Sequence, residues 1–190
     1  MVNQKTRRMV MAALLAALTT AATMVIRIPT PTLGYIHLGD SMVLICGILL
    51  GPGLGAAAAG IGSMLADLFS GFTAWAPGTF AIKALTALVG GSLYRLCLKQ
   101  EHISLPLRVI LCGIPAEAVM VAGYFLYEVG MMTLAGSDLT VAATAVLAGV
   151  PFNVVQGLSG IVVGVVLLPV LSHAGAGAEM PSRKRKSHNF

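Results

Sequence analysis

The stretch Met9–Ile28, MVMAALLAALTTAATMVIRI, follows Lys5, Arg7 and Arg8 and carries no charge before Arg27. Two readings compete for it. A secretory signal has a basic start and an apolar core of about 7–15 residues that is later removed. A membrane-spanning helix needs about 20 apolar residues. This run has 20 residues, which favours a retained first span, and later apolar runs make cleavage unnecessary. The Arg7–Arg8 pair is a weaker match to a twin-arginine export signal.

Composition extends the inference to the whole chain. Of 190 residues, 57% are apolar and 10% charged, and mean hydropathy is +0.89. Soluble domains run at about 45–50% apolar and about 25% charged, and a chain this short has too little interior to hide the surplus. A soluble domain is excluded. Twelve Lys+Arg against seven Asp+Glu give a net charge of +5, concentrated near the ends, with no basic face interleaved with aromatics of the kind that binds nucleic acid. Cys46, Cys97 and Cys112 are odd in number and far apart, so they read as small core residues, not as disulfides or metal ligands. No second His or Cys stands at metal-ligand spacing from His37, which reads as a loop residue.

Five more apolar stretches follow the first. Gly39–Leu50 and Gly53–Phe69 flank a Gly51-Pro52-Gly53 turn, and Gly78–Leu98, Leu107–Tyr127 and Leu139–Leu171 come after. The last has 33 residues, too many for one span at about 1.5 Å per residue. Pro151 suits the first turn of a helix, so the sixth helix begins near Val150 and Leu139–Gly149 forms an outer loop or short interfacial helix. Gly39–Leu50 has only 12 residues, about 18 Å of helix; it is either a short span or one arm of a re-entrant hairpin with the third stretch. The expected fold is an all-α integral membrane protein with six transmembrane helices. Residues 1–8 and 173–190 form basic cytoplasmic tails, and 9–172 form the membrane domain.

Six spans put Lys5, Arg7, Arg8, Arg95, Lys99, Arg108 and the four bases of Arg183–Lys186 on one side, and Arg27 alone on the other, with Lys83 inside a helix. Basic residues stay on the cytoplasmic side. Both termini are therefore expected inside, in a multi-pass protein of the bacterial plasma membrane.

Small residues recur at a spacing of four. Ala12/Ala16, Ala13/Ala17 and Ala17/Ala21 line the first helix, and such rows let backbones approach closely in lipid. They serve either internal packing or a docking face for another membrane subunit. The run Gly51–Gly62, GPGLGAAAAGIG, lacks the Lys-Ser/Thr ending of a phosphate-binding loop and reads as close helix packing. No ATP site is visible in the chain.

Ionisable groups inside a bilayer cost about 2.5–3.5 kcal/mol each on insertion scales, so each needs a reason. They are Asp40, Asp67, Lys83, Glu117 and Glu128, joined by the amides Asn153 and Gln156. Asp40, after Gly39, reads as a helix cap. Asp67, Lys83, Glu128, Asn153 and Gln156 belong to the outer half of the membrane, with Glu117 deeper and Trp75, Tyr35, Tyr124 and Tyr127 near them in chain order. Rings for stacking plus a few orienting polar groups compose a pocket for a small aromatic solute. Lys83, Glu117, Asn153 and Gln156, with Trp75, Tyr124, Glu128 and Asp67, are the candidate binding residues. The competing reading is structural: ion pairs such as Lys83 with Asp67, and interfacial aromatics.

The segment Gly34–Leu50 (GYIHLGDSMVLICGILL), continuing as GPGLGAAAAGIGSMLADLFSGFTAWAPGTFAIKAL, resembles the substrate-binding S components of energy-coupling factor (ECF) vitamin transporters, most of all the riboflavin-transporter-like group. Glu117–Glu128 (EAVMVAGYFLYE) and Pro151–Gly157 (PFNVVQG) fit the same group, so the likeness covers about Arg8 to Leu171. The resemblance implies a six-helix protein with an outward vitamin pocket. It also implies assembly with a transmembrane energy-coupling subunit and two cytoplasmic ATPase subunits, with Ala12–Ala16 and Ala13–Ala17 as the docking signature of the first helix. Riboflavin, pyridoxine and hydroxymethylpyrimidine-type precursors are the vitamins such proteins take. The vitamin is cargo, no bound cofactor is expected, and the chain is not expected to be an enzyme. Two other readings stay open: an ion- or proton-coupled carrier using Asp67, Lys83 and Glu117 as a relay, and a structural membrane subunit.

Overall fold

Pro52, Pro77, Pro106 and Pro151 each fall in the first turn of a helix, where a missing N–H leaves no intrahelical bond unmade and the fixed φ suits the turn. They open four of the seven helices found among the described residues of the computed structural model, which are 3–25, 27–29, 35–100 and 102–172. In order the elements are α1 (Gln4–Val25), β1 (Arg27–Pro29), β2 (Tyr35–His37), α2 (Gly39–Leu50), α3 (Pro52–Phe69), α4 (Ala76–Cys97), α5 (Leu105–Leu134), α6 (Leu139–Leu147) and α7 (Val150–Leu171). The basic tail beyond 172, with Arg183–Lys186, lies outside the described residues.

Among the described residues, five helices are long and apolar enough to cross a bilayer: α1, α3, α4, α5 and α7. The sixth apolar stretch, α2, has 12 residues and stands apart in its surroundings. Every residue in it except Ile48 is buried, and it packs against α1, α3, α4 and α7. A helix that is apolar all round belongs in an interior, and here α2 is the centre of the bundle. The outer surfaces of its neighbours are apolar as well: Leu14, Leu85, Leu126 and Val162 are all more than half exposed. An exterior of this kind fits lipid and not water.

Glycines let the backbones close on α2 and α3. A Cβ on Gly47 would overlap the carbonyl of Ala87 in α4, one on Gly55 the carbonyl of Cys46 in α2, and one on Gly62 the carbonyl of Ala16 in α1. The Gly51–Gly62 run is thus a packing device, as its spacing suggests. Gly51 itself turns the chain at φ 85° with the Arg95 guanidinium filling the space a side chain would need. Around these contacts Leu15, Val43, Ile45, Cys46, Ala59 and Ala87 form the main apolar core.

Several boundaries differ from expectation. α1 begins at Gln4, so the helix carries Lys5, Arg7 and Arg8 within its first turns. α5 runs on to Leu134, 30 residues in all, or about 45 Å, despite Pro115 within it. Leu139–Leu147 is a short helix capped by the Asp138 carboxylate, which accepts from the Thr140 N–H at 2.8 Å, and it packs on the end of α5 through Ala142, Val146 and Val129. The segment between α1 and α2 holds an antiparallel pair with Arg27 opposite His37, Ile28 opposite Ile36 and Pro29 opposite Tyr35. Three-residue strands are too short to show a period in sequence.

Candidate functional site: a polar network beneath an aromatic cavity

The β1–β2 hairpin, the α3–α4 connection, the C-terminal half of α5 and the start of α7 meet at the end of the bundle away from Arg8, whose guanidinium donates to the Leu50 carbonyl at 3.3 Å. There a small cavity is lined by Tyr35, His37, Asp67, Phe72, Trp75, Thr79, Tyr124, Glu128, Asn153 and Gln156.

Its wall is a ladder of rings. Tyr35 lies 5.5 Å from His37 and 4.7 Å from Phe72, both tilted, and Phe72 meets Trp75 edge-on at 6.0 Å. Centroid distances of about 4.5–7 Å in tilted or edge geometry are the favourable range for aromatic pairs. The Arg27 guanidinium sits 5.6 Å from the centre of the Tyr35 ring. The Tyr35 hydroxyl donates to Asp67 Oδ1 at 2.7 Å, which ties the hairpin to the last turn of α3. Burial and then the neighbouring Asp67 charge push the Tyr35 phenol well above its ordinary value, so it stays a donor. Across the cavity the Tyr124 hydroxyl pairs with Thr79 Oγ1 at 3.1 Å.

Beneath the rings lies a buried polar network. The His37 N–H donates to Gln156 Oε1 at 3.0 Å, and Gln156 Nε2 donates to Asp40 Oδ2 at 2.6 Å. Asp40 Oδ1 takes the Lys83 ammonium, with no exposed surface on either side chain. Lys83 Nζ also lies 5.1 Å from the centre of the Tyr124 ring, a cation–π contact at reachable distance. The Gly39 N–H donates to His37 Nδ1 at 2.9 Å, so that nitrogen is an acceptor and the ring is neutral. Burial first, then the Lys83 charge, lowers the His37 pKa from 6.5 to about 3. Gly160 makes the assembly possible, because a Cβ there would stand 2.8 Å from Asp40 Cβ.

The structure therefore sorts the candidate residues by depth. Asp67, Trp75, Tyr124, Glu128, Asn153 and Gln156 line one cavity. Lys83 lies behind that lining, held by Asp40 and not by Asp67; the Lys83–Asp67 pair is corrected on this point. Asp40 is no solvent-facing cap, since its side chain makes no cap bond and is fully buried. Glu117 lines a different space, between α5 and α7, where it packs against Gly157. Of the three groups proposed for a relay, Lys83 is engaged by Asp40 and one oxygen of Asp67 by Tyr35. His37, Phe72 and Thr79 were missed in sequence. A Tyr-x-His pattern beside a buried acid was the available signal for the first, but nothing marked the other two.

Two cavity groups are buried without a hydrogen-bond partner: Asp67 Oδ2 and the Trp75 indole N–H. One accepts and one donates, so together they can orient a flat heterocycle with groups of both kinds at its edge. On α1, Ala12 is buried in the core and Ala16 half-buried, while Ala13 and Ala17 are exposed. The alanine row thus splits into an inward and an outward pair.

A family model described as "ECF-type riboflavin transporter, S component" matches residues 3–173. A protein of Pyrococcus woesei named "Uncharacterized protein in gap 3'region" is 33% identical over 146 residues, which cover 76% of this chain and 88% of that one. A solved structure described as "Structure and mechanism of the S component of a bacterial ECF transporter" superposes with a TM-score of 0.67 at 21% identity, over 90% of this chain and 98% of that one. The last similarity establishes a shared fold.

Proposed function

The chain belongs to the ECF-type riboflavin transporter S-component family, and from that premise we propose that it captures riboflavin, or a vitamin of similar flat heterocyclic shape, in the cavity beneath the hairpin. It is a multi-pass membrane substrate-binding subunit. In the proposed arrangement α2 counts as the sixth crossing, both termini face the cytoplasm of a bacterial cell, and the cavity faces outward. The basic residues of the described chain support this, since Lys5, Arg7, Arg8, Arg95, Lys99 and Arg108 lie at the end opposite the cavity and Arg27 stands beside it. Import then draws on ATP hydrolysed by two cytoplasmic ATPase subunits and passed on by a transmembrane coupling subunit. The exposed Ala13–Ala17 pair is the surface offered to that subunit. The vitamin is cargo, and the chain uses no cofactor of its own.

The observation that carries the reading is the conjunction in one cavity of a ring ladder with two unpartnered groups of opposite hydrogen-bonding character. The cavity measures about 30 Å³, whereas sites that bury a drug-sized ligand measure about 300–1,000 Å³. Ligand entry therefore requires the hairpin to part from α3 and α7, and the Tyr35–Asp67 and His37–Gln156 bonds are the contacts that must open. Calorimetric titration of the detergent-purified chain with riboflavin, pyridoxine and a hydroxymethylpyrimidine tests the assignment. Saturable heat with riboflavin supports it. Heat with another of the three alone would move the substrate, and heat with none would contradict the reading.

A further inference from the structure

A second space is set apart from the vitamin cavity. Between α5 and α7, at the C-terminal end of α6, a groove of about 460 Å³ is lined by Ile114, Ala118, Val121, Phe125, Val154, Leu158 and their apolar neighbours, with Glu117 as its single polar side chain. Ile114, Leu147 and Leu158 are each more than half exposed on its rim, and all stand on the apolar outside of the bundle. The groove opens where lipid would be.

Glu117 lies 12 residues into α5, about 18 Å along it and far from either end. It is 4% exposed, and neither carboxyl oxygen has a hydrogen-bond partner. Gly157 admits it to the interface, because a Cβ there would stand 2.9 Å from Glu117 Cβ. A buried carboxyl left unpaired is costly, and native structures satisfy such groups with a partner. Nothing else in the lining can serve: every other side chain there is apolar or absent. An acyl chain would fill the apolar volume and leave the carboxyl unpaired. A ligand with an apolar body and one charged donor satisfies both, through a charge-assisted hydrogen bond in a low-dielectric setting.

We propose that this groove is a second ligand site, entered from the lipid phase, which takes a small lipophilic amine whose protonated nitrogen pairs with Glu117. The site is independent of the vitamin cavity and stands whether or not that cavity binds riboflavin.

The test uses the full chain in lipid nanodiscs and the apolar reagent dicyclohexylcarbodiimide. A carboxylic acid O–H adds across its C=N bond to give an O-acylisourea, which rearranges to a stable N-acylurea read by peptide mass. The adduct should form on the peptide containing Glu117 and vanish in Glu117→Gln. N,N-dimethyloctylamine, a tertiary amine unable to form an amide, should slow labelling about tenfold at ten times its half-protecting concentration, as one-site mass action requires. Octyl methyl ether, with the same chain and neither charge nor donor, should not. Leu158→Trp, which fills the groove from its rim, should suppress labelling and leave vitamin binding unchanged. Absence of the adduct, an unchanged rate in the presence of amine, or equal protection by the ether would each overturn the proposal.

Discussion

Lys83 of α4 and Asp40 of α2 form an ion pair with no exposed surface on either partner, and the second oxygen of Asp40 is held by Gln156 of α7. Three helices are thereby joined at one carboxylate directly under the cavity. Breaking one side of such a pair leaves a buried charge uncompensated, at a typical cost of about 3–5 kcal/mol. Lys83→Met should destabilise the protein by that order in thermal or denaturant unfolding. Asp40→Asn combined with Lys83→Met should recover most of it, because Asn keeps an acceptor for Gln156. A double variant no more stable than the single one would show that the charge pair itself is not what matters.

The glycines of the Gly51–Gly62 run make opposite predictions within a few residues. A Cβ on Gly53 meets nothing within 4 Å, whereas one on Gly62 would overlap the Ala16 carbonyl. Ala is favoured over Gly inside helices by about 1 kcal/mol. Gly53→Ala should therefore leave stability unchanged or raise it slightly, and Gly62→Ala should lower it by prising α1 from α3. Equal responses in thermal unfolding would remove the close-packing account.

His37 supplies a pH dependence with a definite sign. Its folded pKa is lowered from 6.5 to about 3 by burial and then by Lys83, so between those values the unfolded chain binds the extra proton. Its contribution is fully present above pH 6.5 and is lost as pH falls toward 3, with a slope of up to about 1.4 kcal/mol per pH unit. His37→Asn, whose carbonyl can still accept from the Gly39 N–H, should flatten the difference in unfolding free energy between pH 7 and pH 5. An unchanged slope would mean that His37 is not the titrating group.

On α1 the split of the alanine row distinguishes docking from packing. Ala17→Trp, on the exposed face, should abolish vitamin uptake in the assembled transporter while the isolated chain still binds its ligand. Ala12→Trp, inside the core, should impair both. Loss of binding in the Ala17 variant would place that face inside the fold.

Much of this architecture could be read from residue order. The run Gly39–Leu50 marks α2 with its observed limits, and Pro151 marks the start of α7 within one residue. The partner of Lys83 could not be read, because Asp40 and Asp67 both lie at helix ends on the cavity side of the bundle and only the packing of α2 at the centre decides between them. The same packing turned Asp40 from an apparent cap into a buried ion. Helical spacing places Glu117, Tyr124 and Glu128 on one face of α5, since 7 and 11 residues are close to two and three turns. Depth separates them: 7 residues are about 10 Å of rise, which puts Glu117 a level below Tyr124, against Gly157 of α7. A periodicity argument sees angle and not height relative to other helices.

Trp75 is the only tryptophan in the chain and lines the cavity, so its emission reports the site without a label. The most direct measurement is quenching of that emission by riboflavin in the wild type, Asn153→Ala and Glu117→Gln. The account predicts saturable quenching, an affinity weakened roughly two- to tenfold in Asn153→Ala, as loss of one neutral hydrogen bond of about 0.5–1.5 kcal/mol implies, and no change in Glu117→Gln. Emission that riboflavin leaves untouched, or an affinity lost in Glu117→Gln and kept in Asn153→Ala, would contradict it.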